Sequence, residues 1–137
     1  MSDKETLASV SSVENTENKT FEPSDNQTSE IDELTNEKRV ITYVKQHKEL
    51  PDYYITKSEA REGGWVASEG NLCDVLPGKA IGGDRFSNRE KQLPAGQQYY
   101  EADVNYNCGR RGADRIVFTK DGEVWLTHNH YKTFEKQ

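Results

Sequence analysis

Apolar residues recur at Val40, Val44 and the His47/Leu50 pair, with Tyr43 beside them. Intervals of three to four residues predict an amphipathic helix that begins near Asn36. Lys48 near its end suits the negative pole of a helix, and Pro51, which has no amide hydrogen to continue the ladder, stops it. Thr56-Lys57-Ser58-Glu59 then has capping-box spacing, so a second helix is expected with Lys57 in its first turn and Gly63-Gly64 at its end. A third, short helix is expected around Leu72–Leu76, before Pro77-Gly78.

Beyond Lys79 the pattern changes to short β-prone runs: Ala80–Asp84, Gln98–Tyr106, Ala113–Thr119, Glu123–His128 and a last one near Thr133–Lys136. Asp121-Gly122 reads as a tight turn between the third and fourth runs. Helices first and strands afterwards predict an α+β fold, with the N-terminal helices on one face of an antiparallel sheet.

Charge divides the chain differently. Residues 1–37 carry two basic side chains against ten acidic ones, whereas residues 38–137 carry sixteen against fourteen. The slightly basic part suits a polyanionic substrate, and an acidic leader masks it in the overall charge of −6. That leader is rich in Ser, Thr, Asn and Glu and nearly free of periodic apolar residues. It is expected to be disordered over residues 1–35, ahead of a single domain at 36–137, because it has too little apolar surface to offset chain entropy. It lacks the basic start and apolar core of a signal peptide, and no run is long enough to span a membrane.

Within the domain, Lys57, Glu101, Arg111, Arg115 and His130 form a set able to cleave a phosphodiester without a metal. A carboxylate can take the proton of a ribose 2′-hydroxyl, and an imidazole titrating near neutrality can protonate the departing 5′-oxygen. Three cations can hold the charge that gathers on the phosphoryl oxygens. A strand Glu and Arg can equally form a structural ion pair, so the set gains its meaning from its context.

That context is LPDYYITKSEAREGGWVASEGNL at 50–72, PGKAIGGDRFSNRE at 77–90, EADVNY at 101–106, ADR at 113–115 and NHYKTF at 129–134. In these stretches the chain resembles the barnase and binase type of secreted bacterial ribonucleases with guanine preference, from about Asn36 to the C-terminus. The resemblance implies a five-stranded sheet, Glu101 as general base, His130 as general acid, Arg111 and Arg115 on the phosphate and Lys57 as a catalytic lysine. Arg110 is expected to be a solvated neighbour, and His47 and His128 ordinary surface or helix histidines. Asn129 stands where the family commonly has an acidic residue. The stretch between Glu90 and Glu101 is shorter than the family pattern.

The same resemblance gives Phe86-Ser87-Asn88-Arg89-Glu90 a role with guanine. The base offers two donors in line with the oxygens of Glu90 and an acceptor for the Asn88 and Arg89 amides. Phe86 and Tyr131 are the candidates for stacking on it, with buried packing the alternative for Phe86. Cys73 and Cys108 are expected to form a disulfide, because in the resembled fold the third helix and the loop after EADVNY come together; two unpaired thiols are the alternative. No metal site or cofactor is expected, since two cysteines and scattered histidines offer no ligand set. The implied protein is a secreted monomer acting on single-stranded RNA and controlled by a barstar-like inhibitor. Two other readings stay open here: a ribonuclease toxin domain of a delivered effector, and a non-catalytic RNA-binding module.

Overall fold

In the computed structural model, which describes residues 30–137, the chain first turns into α1 at residues 30–34. Ile31 is buried in the core, and the fully buried Thr35 hydroxyl accepts from Tyr106 N at 2.9 Å while its backbone carbonyl accepts from Asn105 N at 2.7 Å. Residues 30–35, assigned above to a disordered leader, therefore belong to the fold. The sequence hid this because one apolar residue among acidic neighbours shows no period. The rest of the expected leader, residues 1–29, lies outside the described residues.

Helix α2, Glu37–His47, starts where Asn36 accepts from the amides of Lys38 and Arg39, and it ends at Lys48 in the left-handed region (φ 62°). It buries Val40, Ile41 and Val44, whereas His47 of the predicted stripe is exposed and packs on Tyr43. Helix α3, Lys57–Glu62, has the predicted capping box of Thr56 and Glu59 and closes at Gly63. Helix α4 is a single turn, Leu72–Val75. No helix among the described residues is long and apolar enough to cross a membrane.

The strands are β1 (Tyr54–Ile55), β2 (Ala80–Phe86), β3 (Tyr99–Asp103), β4 (Arg115–Phe118), β5 (Val124–Thr127) and β6 (Glu135–Lys136), and they lie in that order in one sheet. The sheet has six strands rather than the expected five. The additional strand β1 is a two-residue run beside Ala80 and Ile81, and among the described residues it makes the one parallel pairing in a sheet otherwise antiparallel. Two residues between a proline turn and a helix cap are too few to show alternation.

The period of two along the strands sorts their side chains between two cores. Ala102, Ile116, Phe118, Val124 and Leu126 pack on the helices, and Tyr99, Val117 and Trp125 pack with Leu93 on the other face. Loops cover that second face over part of its extent. On the same face β3 and β4 carry Glu101, Asp103 and Arg115, charged side chains that are themselves buried.

Candidate active site

Register determines which charges meet. Asp103 and Arg115 are direct partners across β3 and β4, and Asp84 and Glu101 are direct partners across β2 and β3. Two carboxylates facing each other on one sheet surface repel. Lys57 relieves the repulsion twice, since its backbone amide donates to Asp84 Oδ2 at 3.0 Å and its Nζ lies 3.6 Å from Glu101 Oε2. The capping box thus does more than start α3, because it aims Lys57 at the sheet.

Glu101 is nearly buried among cations. Arg111 Nη2 is 3.8 Å and Arg115 Nη1 is 3.7 Å from its Oε1, and the Tyr131 hydroxyl donates to the same oxygen. Burial first, then the hydrogen bond and the charge of Glu101, push the Tyr131 phenol far above its usual value, so it stays protonated and able to donate. The same hydroxyl accepts from Arg115 Nη1 at 3.0 Å.

Asp103 holds both arginines. Arg111 donates to it in bidentate fashion at 2.8 and 2.7 Å. Arg115 Nε lies 2.8 Å from Asp103 Oδ1 as an ion pair whose angle falls short of a hydrogen bond, and Arg115 Nη2 donates to Gly112 O at 2.8 Å. Burial opposes the charge of Arg111, but the bonds and charge of Asp103, joined by the charge of Glu101, outweigh it and raise its pKa. Sequence reasoning missed Asp103 and Asp84. A signal for Asp103 was present, because it stands two residues from Glu101 on a strand and shares its face.

His130 and Tyr131 are consecutive non-glycine residues with positive φ, 56° and 73°. Such a conformation persists only where the surroundings over-determine it. Here His130 N donates to Ala113 O, Tyr131 N donates to Thr127 Oγ1, and Asn129 Oδ1 accepts from both Thr127 Oγ1 and Thr133 N. The turn leaves the His130 ring exposed beside Tyr131, with centroids 4.9 Å apart.

A cleft of about 480 Å³ joins this turn to the loop after β2. Its walls carry all of Phe86, Ser87, Asn88, Arg89 and Glu90 together with His130 and Tyr131. The Asn88 carboxamide is spent inside the loop, donating to Leu93 O at 2.7 Å and accepting from Leu93 N at 3.1 Å. It therefore shapes the loop rather than facing a ligand. Phe86 packs on Tyr131 (4.9 Å) and edge-on to Phe134 (6.0 Å), so one aromatic wall serves both packing and the cleft.

Arg110 stays out of the cluster, donating instead to Ser68 O at 3.0 Å. Cys73 and Cys108 form a disulfide. His128 is not isolated: with Glu37 and Asp114 it offers three ligand atoms within 4.8 Å of one another. The Asn105 carboxamide donates to both carboxylates, and His128 is bonded to Glu37 at 2.7 Å, so hydrogen bonds already satisfy this group.

A family model described as ribonuclease matches residues 37–137. The chain is similar to the ribonuclease of Heyndrickxia coagulans, with 54% identity over 99 residues that make up 71% of this chain and 91% of the relative. Ribonucleases of Bacillus intermedius and Bacillus pumilus are each 54% identical over 99 residues, which make up 61% of their length.

Proposed function

The chain belongs to the ribonuclease family and is an endoribonuclease of the barnase and binase type, and on that premise we propose that it cleaves single-stranded RNA 3′ to guanosine without a metal. The observation that carries the proposal is the placement of Glu101 among Lys57, Arg111 and Arg115, at 3.6–3.8 Å, next to a cleft that His130 shares with the 86–90 loop.

Glu101 takes the proton of the 2′-hydroxyl as that oxygen attacks phosphorus. The P–O5′ bond breaks, and His130 gives its proton to O5′, leaving a 2′,3′-cyclic phosphate. In the second step His130 takes a proton from water and Glu101 returns one to O2′ as the ring opens. Lys57, Arg111 and Arg115 supply positive charge where the five-coordinate phosphorus gathers negative charge, a role fixed dipoles and charges fill without reorganisation. Guanine binds through Glu90 and the amides of Asn88 and Arg89, which among the described residues donate to no other group. Phe86 and Tyr131 offer the aromatic wall.

The disulfide suits an oxidising compartment, and secretion is part of the proposal. A monomer whose cation-lined cleft is covered by an acidic, barstar-like inhibitor completes it. The test is cleavage of an RNA with a single guanosine in EDTA, by the wild type and by Glu101→Ala and His130→Ala. A cut after the guanosine with a cyclic phosphate end is expected, slowed in both variants by on the order of a hundredfold or more. Turnover of a substrate with 2′-deoxyguanosine at the scissile position would refute the mechanism. Binding without cutting by a folded wild type would favour an RNA-binding module.

A further inference from the structure

We propose that the Cys73–Cys108 disulfide is a positioning element for Arg111, so that turnover, and not only fold stability, depends on its being oxidised. The inference rests on the functional reading above and adds a covalent support to its phosphate clamp.

Arg111 does not lie on a strand. It sits in the segment between β3 and β4, three residues after Cys108, in a loop with Asn105, Cys108 and Gly109 all at positive φ (55°, 77° and 76°). Consecutive backbone in this region has no repeating hydrogen bonds of its own, and a cysteine there needs external constraint. On its inner side the loop is held by Arg111 on Asp103 and by the Tyr106 hydroxyl on Gly109 O at 2.7 Å. On its outer side it lies on the 67–73 segment, where three contacts hold it.

Two of the outer contacts are weak or merely close. Arg110 Nε donates to Ser68 O in an exposed bond. The backbone of Gly109 and Arg110 passes so near Gly70 that a Cβ there would meet Arg110 N at 2.6 Å. The third contact is the disulfide, and its far end is firmly set, because Cys73 follows the fully buried Leu72 in α4. Rigidity thus passes from the helix-side core, through one covalent bond, into the loop that aims Arg111 at Glu101. When a phosphate draws on Arg111, Asp103 must share the guanidinium. The outer anchor then keeps the loop from following the side chain.

Reduction by a dithiol such as dithiothreitol transfers two electrons, leaves Cys73 and Cys108 as thiols and closes the reagent to its cyclic disulfide. It removes the anchor and leaves every catalytic side chain chemically unaltered, so a change in kcat reports position. The experiment measures kcat and KM on a single-guanosine RNA, below the melting temperature of the weakest protein used. The full chain is taken oxidised, reduced, and as the Cys73→Ser/Cys108→Ser double variant, each with and without Arg111→Ala, with folding followed by circular dichroism.

The expected result is a kcat lower by about tenfold in the reduced and doubly substituted proteins, with KM within about twofold. Arg111→Ala should cost much less there than in the oxidised protein, because residues acting through one group are non-additive. A folded double variant with wild-type kcat, or losses that simply multiply, would overturn the proposal alone. An oxidised wild type that cleaves no RNA would overturn the functional reading and the proposal with it. Should the double variant fail to fold, the wild type reduced under native conditions and shown folded by circular dichroism carries the same comparison, as does the single variant Cys108→Ala, and a folded protein without the bond that keeps the wild-type kcat overturns the proposal.

Discussion

The Tyr131 hydroxyl donates to Glu101 Oε1 and at the same time accepts from Arg115 Nη1, so one phenol joins the candidate base to the candidate clamp. Tyr131→Phe keeps the ring against Phe86 and removes only this link. A hydrogen bond to a charged group contributes about 1.5–3 kcal/mol, of which Lys57 and the arginines can recover part. The expected outcome is a fall of roughly tenfold in kcat/KM with the fold intact. Steady-state kinetics beside near-ultraviolet dichroism decide it, and an unchanged kcat/KM would mean that the cations alone hold the carboxylate.

Asp103 is buried and carries two guanidinium groups. Asp103→Asn leaves two largely buried cations facing a neutral amide, and breaking a buried ion pair from one side costs about 3–5 kcal/mol. Urea denaturation should show a lower midpoint at an unchanged slope. The variant should also lose activity at temperatures where it is still folded, since Arg111 and Arg115 lose their common anchor. A midpoint within the error of the wild type would show that Glu101 takes over both arginines.

Much of this arrangement was legible in the sequence, and the parts that were not share a cause. The apolar period of α2 and the Thr56/Glu59 capping box are local signals, so both helices appear where expected. The disulfide and the gathering of Lys57, Glu101, Arg111 and Arg115 followed from motif resemblance, because they depend on packing of distant segments. Tyr131 was read as a stacking residue. Its hydroxyl on Glu101 depends on the positive φ at His130 and Tyr131, which no propensity announces for non-glycine residues. β1 and the packing of Ile31 escaped for the opposite reason, being too short to have a period.

His128 and Glu37 should give the fold a pH window. The hydrogen bond and charge of Glu37 raise the His128 pKa against slight desolvation, and His128 is the first cause of the lowered Glu37 pKa. A raised histidine stabilises fully below its ordinary value of 6.5 and loses this as pH rises through the folded value. A lowered carboxylate stabilises above its ordinary value of 4.5 and loses this as pH falls through the folded value. The pair therefore contributes most between pH 4.5 and 6.5. His128 is half exposed, with Asp114 and Glu135 as its other charged neighbours, so the effect is small and salt-sensitive. The urea midpoint of wild type minus that of His128→Ala should peak in that window and shrink in about 0.5 M salt. A difference flat from pH 4 to 9 would refute the pairing.

Gln92 offers a test of how recognition and chemistry are connected. Its Nε2 donates to Lys132 O at 2.8 Å, the one side-chain bond among the described residues from the loop at 87–94 to the turn that carries His130. Guanine held by the first loop would then steady the second. On the proposed guanosine preference, Gln92→Ala should slow cleavage after guanosine more than any cleavage after adenosine. An exposed hydrogen bond contributes about 0.5–1.5 kcal/mol, so the ratio of the two kcat/KM values should fall about two- to fivefold. Stability should change by less than about 0.5 kcal/mol, because the side chain is on the surface. Equal slowing of both substrates would show that Gln92 only supports His130. An unchanged ratio with unchanged rates would show that the two loops act independently, with base recognition confined to the 86–90 wall of the cleft.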